Sequence, residues 1–121
     1  LRILLDSSFL LTLATKPIKR IELLQGARYV VLSAIIHELN SLALSKSIKR
    51  SKAAREALNL INNINAEIID IKGKPIDDLI IQYAVENNLY VATLDSHIKQ
   101  VLRSKGIGVI TLSNDKIVIE S

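Results

Sequence analysis

The chain has no cysteine, no methionine and no tryptophan, and its aromatic residues are one Phe and three Tyr. Without cysteine there is no disulfide, no thiolate zinc site and no cysteine nucleophile. So few rings leave little for a base-stacking platform, the usual way proteins hold single strands without reading sequence. No apolar run approaches the roughly 18 residues of a membrane span, and the first residues lack the layout of a signal peptide. The expectation is a cytoplasmic protein with no membrane partner. Position one is Leu rather than Met, so residues can precede it. What is present is ordinary: 49% hydrophobic and 23% charged residues over 121 positions, enough for one globular domain, residues 1–121, with a real core.

The net charge of +4 conceals an asymmetry. Residues 1–55 carry ten Lys and Arg against three Asp and Glu, whereas residues 56–121 carry six against nine. The basic excess lies in Lys16-Pro17-Ile18-Lys19-Arg20 and in Lys46-Ser47-Ile48-Lys49-Arg50-Ser51-Lys52, with Arg55 following. Lys46, Lys49 and Arg50, at i, i+3 and i+4, would share one helix face able to neutralise phosphates. A solvated helix surface explains that segment equally well when it is taken alone.

Periodicity switches repeatedly between strand and helix. Leu1–Leu5 is a short buried-strand run ended by Asp6. Helices are predicted over Ser7–Ala14 and over Pro17–Gln25, the second stopped by Gly26, and a strand over Arg28–Leu32. Ser33 would cap a helix running to about Ser45, and Ser47 or Ser51 a longer one reaching Asn63. Glu67–Ile71 reads as a strand and Lys72-Gly73-Lys74-Pro75 as a loop. A helix over Asp77–Asn87, a strand over Leu89–Leu94 and a helix over Ser96–Ser104 follow. Strands Val109–Leu112 and Ile117–Ile119 close the chain around Ser113-Asn114-Asp115. Such alternation implies an α/β fold with a mostly parallel sheet and helices on both faces.

In folds of this kind ligands bind outside the carboxyl ends of the strands, where strand order reverses. Asp6 and Asp95 each close an apolar run, so they meet in that crevice if their strands are neighbours. Glu38 lies three residues after Ile35 and four before Leu42, on the apolar stripe of its helix. Asp77 leads the stripe Ile80, Ile81 and Ala84, while Asp78 aligns with the polar ridge Gln82 and Glu86. Each acid alone has a structural explanation as a cap or a helix-terminal charge. Four together are harder to explain that way. Two carboxylates about 5 Å apart repel by roughly 3 kcal/mol at an effective dielectric near 20, and crowding raises at least one pKa. A shared divalent cation would satisfy them, and an all-oxygen donor set favours Mg²⁺ or Mn²⁺ over zinc.

The order Asp6-Ser7-Ser8, Glu38, Asp77-Asp78-Leu79-Ile80-Ile81-Gln82-Tyr83-Ala84 and Thr93-Leu94-Asp95 resembles the PIN-domain nucleases over essentially the whole chain. Lys72-Gly73-Lys74-Pro75-Ile76-Asp77-Asp78 and Lys99-Gln100-Val101-Leu102-Arg103 are similar to the ribosomal-RNA-processing branch. The resemblance implies a three-layer α/β/α domain and a metal-dependent endoribonuclease that leaves a 3′-hydroxyl and a 5′-phosphate. It carries catalytic and metal-binding roles to Asp6, Glu38, Asp77 and Asp95. Asp6 and Asp95 would be direct ligands, Asp77 would complete the shell, and Glu38 would hold a ligand water or act as base. Where the family often has an acid two residues after the last Asp, this chain has His97, read as a solvent-facing helix residue in preference to a weaker site contact.

Ser7 and Thr93 flank the crevice and would contact phosphate or orient a carboxylate. His37, about a hundred degrees round the helix from Glu38, is given no role. RNA would be held through its backbone by Lys46, Lys49, Arg50, Lys19 and Arg20. The partners this implies are an RNA substrate, an antitoxin or a ribosome-assembly factor, and a second copy of the chain. The rival readings are a toxin-type ribonuclease held by an antitoxin and a catalytically silent PIN scaffold. A phospho-accepting signalling domain and a haloacid-type phosphatase lack their second acid, since Ser7 and Ser8 follow Asp6.

Overall fold

The computed structural model describes residues 1–73 and 75–120; Lys74 of the predicted loop lies outside the described residues. Six strands form one sheet: β1 (Arg2–Leu5), β2 (Arg28–Leu32), β3 (Glu67–Ile69), β4 (Tyr90–Ala92), β5 (Val109–Ser113) and β6 (Lys116–Glu120). Their order is β3-β2-β1-β4-β5-β6, parallel throughout except for β6, which runs antiparallel to β5. The helices are α1 (Ser7–Thr15), α2 (Ser33–Ala43), α3 (Ile48–Asn63), α4 (Ile76–Asn87) and α5 (Ser96–Ser104). Strand order moves one way through β1, β2 and β3, then crosses back to β4 and β5. Right-handed crossovers therefore put α1, α2 and α3 on one face and α4 and α5 on the other. The helix contacts agree: α3 packs on α1 and α2, and α4 packs on α5. This is the three-layer α/β/α arrangement expected from the sequence, and order reverses between β1 and β4.

The central strands are apolar on both faces because helices cover both. Ile3, Leu4, Leu5, Val30, Val31, Leu32, Val91 and Ala92 are all buried. Phe9 and Leu10 from α1, Ile35 and Leu39 from α2, and Ile80 from α4 fill the core around them. Ala54 and Ala57 give α3 a small-residue face that is also buried. The last two strands form a hairpin whose turn residues, Asn114 (φ 53°) and Asp115 (φ 57°), supply the positive φ that a two-residue connection requires. Among the described residues no helix is long and apolar enough to cross a membrane.

Two local expectations are corrected, and a choice between two caps is settled. The helix predicted over Pro17–Gln25 is only a single 3-10 turn, Ile21–Leu24. Before it, Lys19 pairs with the hairpin: its N–H donates to the Asp115 carbonyl and its carbonyl accepts from Ile117 N–H. Arg20 then enters the left-handed region at φ 61°. Backbone pairing along the otherwise open β6 edge displaces the local helix. Ser33 is inside α2 rather than its cap; its hydroxyl donates toward Ile71 O at 3.0 Å and Asp70 Oδ1 at 3.2 Å. Of the two serines offered as caps for α3, Ser47 does so, accepting from Arg50 N–H at 3.3 Å, whereas Ser51 is buried and donates to Ile48 O.

One backbone position is closely packed against a ring. A Cβ built on Gly108 would stand 2.4 Å from Tyr90 Cε2 and 2.6 Å from Cδ2, so the β4–β5 approach requires glycine. Gly108→Ala is expected to destabilise the fold by about 1–3 kcal/mol in urea denaturation, and Tyr90→Leu in the same chain to recover part of the loss.

Candidate active site

Asp6 and Asp95 follow the two strands between which the sheet order reverses. Asp6 N–H donates to the Ala92 carbonyl at 3.0 Å, which extends the β1–β4 pairing by one residue and fixes the start of the crevice. The Asp6 side chain is 5% exposed and is satisfied by three donors. Oδ1 accepts from Ser7 N–H at 2.9 Å; Oδ2 accepts from the hydroxyls of Ser8 at 2.8 Å and Thr93 at 2.7 Å. Both hydroxyls in turn accept from the β4–α5 loop. Leu94 N–H donates to Ser8 Oγ at 3.0 Å and Asp95 N–H to Thr93 Oγ1 at 3.1 Å. One carboxylate thus holds the ends of β1 and β4 in register, and a neutral isostere could not accept all three bonds in the same way.

The sequence reading named Ser7 and Thr93 as supporting residues. Thr93 is fully buried and oriented as described, but Ser7 contributes its backbone N–H, and the hydroxyl that supports Asp6 belongs to Ser8. The spacing carried that signal: Ser8 sits one further along α1, so its side chain turns back over the helix start towards the preceding strand.

Asp95 caps α5, accepting from Ile98 N–H at 3.0 Å through Oδ1, which leaves Oδ2 without a protein donor among the described residues. Capping and ligation are therefore compatible on this one side chain. Asp77 lies in the first turn of α4, half-buried, while Asp78 beside it is exposed with Gln82 and Glu86, the latter two hydrogen-bonded to each other at 3.0 Å. The carboxyl of Asp77 is held above the ordinary Asp value by burial first, then by the negative charges of Asp95 and Asp6 and, least, of Asp78; His97 opposes the shift. Asp77 thus carries the combined effect of partial burial and of the charge on both strand-end aspartates. His97 is exposed, as expected, yet near enough to act on Asp77.

Glu38 stands to one side. It is half-buried on α2, and its Oε1 is buried with no hydrogen-bond partner among the described residues. It lines a cavity of about 480 Å³ together with Ala34, His37, Ser41, Lys72, Gly73 and Ile76, the residue before Asp77. The structure thus sets Asp6 and Asp95 at neighbouring strand ends with Asp77 under their charge, and leaves Glu38 at the flank. Among the described residues no three acidic or imidazole groups are drawn closely enough to enclose one ion.

The residues proposed for RNA contact occupy two places. Lys49 and Arg50 lie in the first turn of α3, exposed, but Lys46 precedes that helix, so the three do not share one helical face as predicted. Lys19 and Arg20 are exposed beside the hairpin at the β6 edge.

Comparison with known proteins identifies the class. The family model described as "PIN like domain" matches residues 3–115, and the chain belongs to that family. It is 33% identical to Ribonuclease VapC4 of Methanocaldococcus jannaschii over 88 residues, spanning 72% of this chain and 67% of that protein. A solved domain of a functionally unknown protein from Methanocaldococcus jannaschii DSM 2661 shares the fold, with a TM-score of 0.63 at 18% identity over 93% of this chain and 91% of that one.

Two outcomes follow from the site's geometry. Ser8→Ala removes a donor from Asp6 and the acceptor of Leu94 N–H, so it should cost about 1–3 kcal/mol in urea denaturation, whereas Ser7→Ala should stay within about 0.5 kcal/mol of wild type. A raised Asp77 carboxyl means that the folded state binds that proton more tightly than the unfolded chain. The ionised group therefore opposes folding above its folded pKa, and the penalty disappears as pH falls through the ordinary Asp range. In EDTA, Asp77→Asn should be more stable than wild type at pH 7, with the difference closing towards pH 3.

Proposed function

We propose that this chain is a metal-dependent endoribonuclease that hydrolyses RNA phosphodiester bonds in the crevice between the ends of β1 and β4. The observation that carries the proposal is the pair Asp6 and Asp95 at the two strand ends where the sheet order reverses, with Asp77 under their charge, in a chain of the PIN-like family. A relative named as a ribonuclease supports RNA as the substrate. An RNA or protein scaffold without activity would have no need to hold these charges against their mutual repulsion.

The donor set suits a hard divalent cation, Mg²⁺ or Mn²⁺. Among the described residues Glu38 Oε1 is buried without a partner and Asp95 Oδ2 has no donor, and Asp77 lies under the negative charge of Asp95 and Asp6. Carboxylates that do not close into a cage fit an ion that keeps several of its waters and shares the rest of its shell with substrate phosphate. Asp6, Asp77 and Asp95 would hold it, with Glu38 reaching it through water. When bound, such an ion lowers the pKa of a coordinated water and offsets charge developing on the phosphate.

The chain's own groups do the positioning. Ser7 N–H, Ser8 and Thr93 fix Asp6, so this carboxylate keeps one orientation and does not swing towards the incoming phosphate. The α5 N-terminus fixes Asp95 through Ile98 N–H. Glu38, which lines the cavity beside the crevice, would orient the attacking water and take its proton. Lys49, Arg50, Lys46, Lys19 and Arg20 supply exposed positive charge for the RNA backbone, so binding should weaken steeply with salt. Of the two cellular settings, control by an antitoxin is better supported than ribosomal-RNA processing, because the similar protein is a ribonuclease of the VapC type. The proposed location is the cytoplasm.

Cleavage of an end-labelled structured RNA with Mn²⁺, Mg²⁺ or EDTA tests this reading. Wild type should cut with either ion and not in EDTA, and Asp6→Asn and Asp95→Asn should each lose at least about a hundredfold in rate. Cutting that persists in EDTA or in both variants would refute it.

A further inference from the structure

The cavity flanking Glu38 lies beyond the three facing aspartates, and the catalytic reading leaves most of its walls unused. Its volume, about 480 Å³, is in the range of sites that hold a small organic molecule. One wall is a face of α2: Ala34 and Glu38 form one i, i+4 pair and His37 and Ser41 the next. The other lining residues are Lys72 and Gly73, which follow β3, and Ile76, the first residue of α4. Ala34 is buried and Ile76 half-buried, while His37, Ser41 and Lys72 are exposed, so an apolar floor carries a polar, cationic rim. Gly73 adopts φ +130°, a conformation open to glycine and costly for other residues, although a Cβ there would meet only Leu79 at 3.9 Å.

Lys72 is available at the rim. Its contact with Asp70 is 3.9 Å between side chains that are both largely exposed, an ion pair worth about 0–1 kcal/mol that a phosphate can displace. The imidazole of His37 offers a flat ring of the kind on which unstacked RNA bases settle. Its angle of about a hundred degrees from Glu38 had excluded it from the crevice; the cavity extends round α2 far enough that both residues line it.

We propose that this cavity is the subsite for the nucleotide adjoining the scissile phosphate, with Lys72 against that nucleotide's phosphate and His37 against its base. The proposal rests on the ribonuclease reading for its position in the reaction. It adds a substrate-positioning role for two residues outside the carboxylate set and makes this pocket the place where base preference is set.

The test has two arms. In the first, the Cε1 proton of His37 is followed by NMR in the full chain with Mg²⁺ while each of the four ribonucleoside 5′-monophosphates is added separately. The chain has two histidines, so His97→Gln assigns the line. The line should shift saturably with at least one nucleotide, and Lys72→Ala should weaken that binding about tenfold. In the second arm, Lys72→Ala and His37→Ala are assayed on RNA. Each should raise KM roughly five- to tenfold with kcat within about twofold, and His37→Ala should change which bonds are cut. A His37 line that none of the nucleotides moves, or that moves equally in Lys72→Ala, overturns the subsite even if RNA is cleaved normally. Saturable binding at His37 with no cleavage by wild type supports the subsite and removes the ribonuclease reading instead. Both substitutions are at exposed positions, and unchanged thermal unfolding separates a binding loss from a folding one.

Discussion

The carboxylate of Asp6 is the joint on which the rest of the site depends. It sits where β1 ends and α1 begins, and its three donors come from both sides of the sheet's switch point: Ser7 and Ser8 on its own side, Thr93 from the end of β4. The same two hydroxyls accept the N–H groups of Leu94 and Asp95, so the loop that presents Asp95 is positioned by the hydrogen bonds that hold Asp6. A buried ionised group is costly unless its acceptors are filled, and here filling them also orders the neighbouring loop. Structure and chemistry converge on one side chain.

That arrangement leaves charge without compensation. Asp6 has its donors and Asp95 has the α5 N-terminus, but Asp77 lies under the charge of both, opposed among the described residues by His97. Glu38 adds a buried oxygen without a partner among the described residues. Protein folding tolerates a small electrostatic penalty at a functional site when a ligand later relieves it. A divalent cation would relieve this one, and the open spacing suits an ion that shares its shell with water and phosphate. In the proposed subsite the cavity along α2 would receive a nucleotide beside that cation, with Lys72 and His37 on the substrate side.

Much of this was legible in the residues because it depends on local periodicity. Short apolar runs ending in Asp6 and Asp95 marked strand ends, and parallel strands buried on both faces leave that signal intact. Helical phase placed Glu38 and Asp77 towards the core and Asp78 outward, as the burial of these positions shows. What local pattern could not supply was competition from distant backbone. The Pro17–Gln25 segment pairs with a hairpin almost a hundred residues further on, and Ser33 spends its hydroxyl on Ile71 and Asp70 rather than on its own helix. Ser8 was passed over in favour of Ser7 because adjacency in sequence stood in for side-chain direction. His37 was set aside on helical angle alone, which defines a line of sight to Glu38 but not the extent of the cavity beside it.

The most direct measurement is the titration of the Asp77 carboxyl carbon by NMR, in EDTA and again with saturating Mg²⁺. The account predicts a midpoint above that of an ordinary Asp in EDTA and a clear fall when Mg²⁺ is added, because a cation shared with Asp6 and Asp95 favours the ionised form. A midpoint already ordinary in EDTA, or one that Mg²⁺ leaves in place, would show that the three acids share neither a field nor an ion.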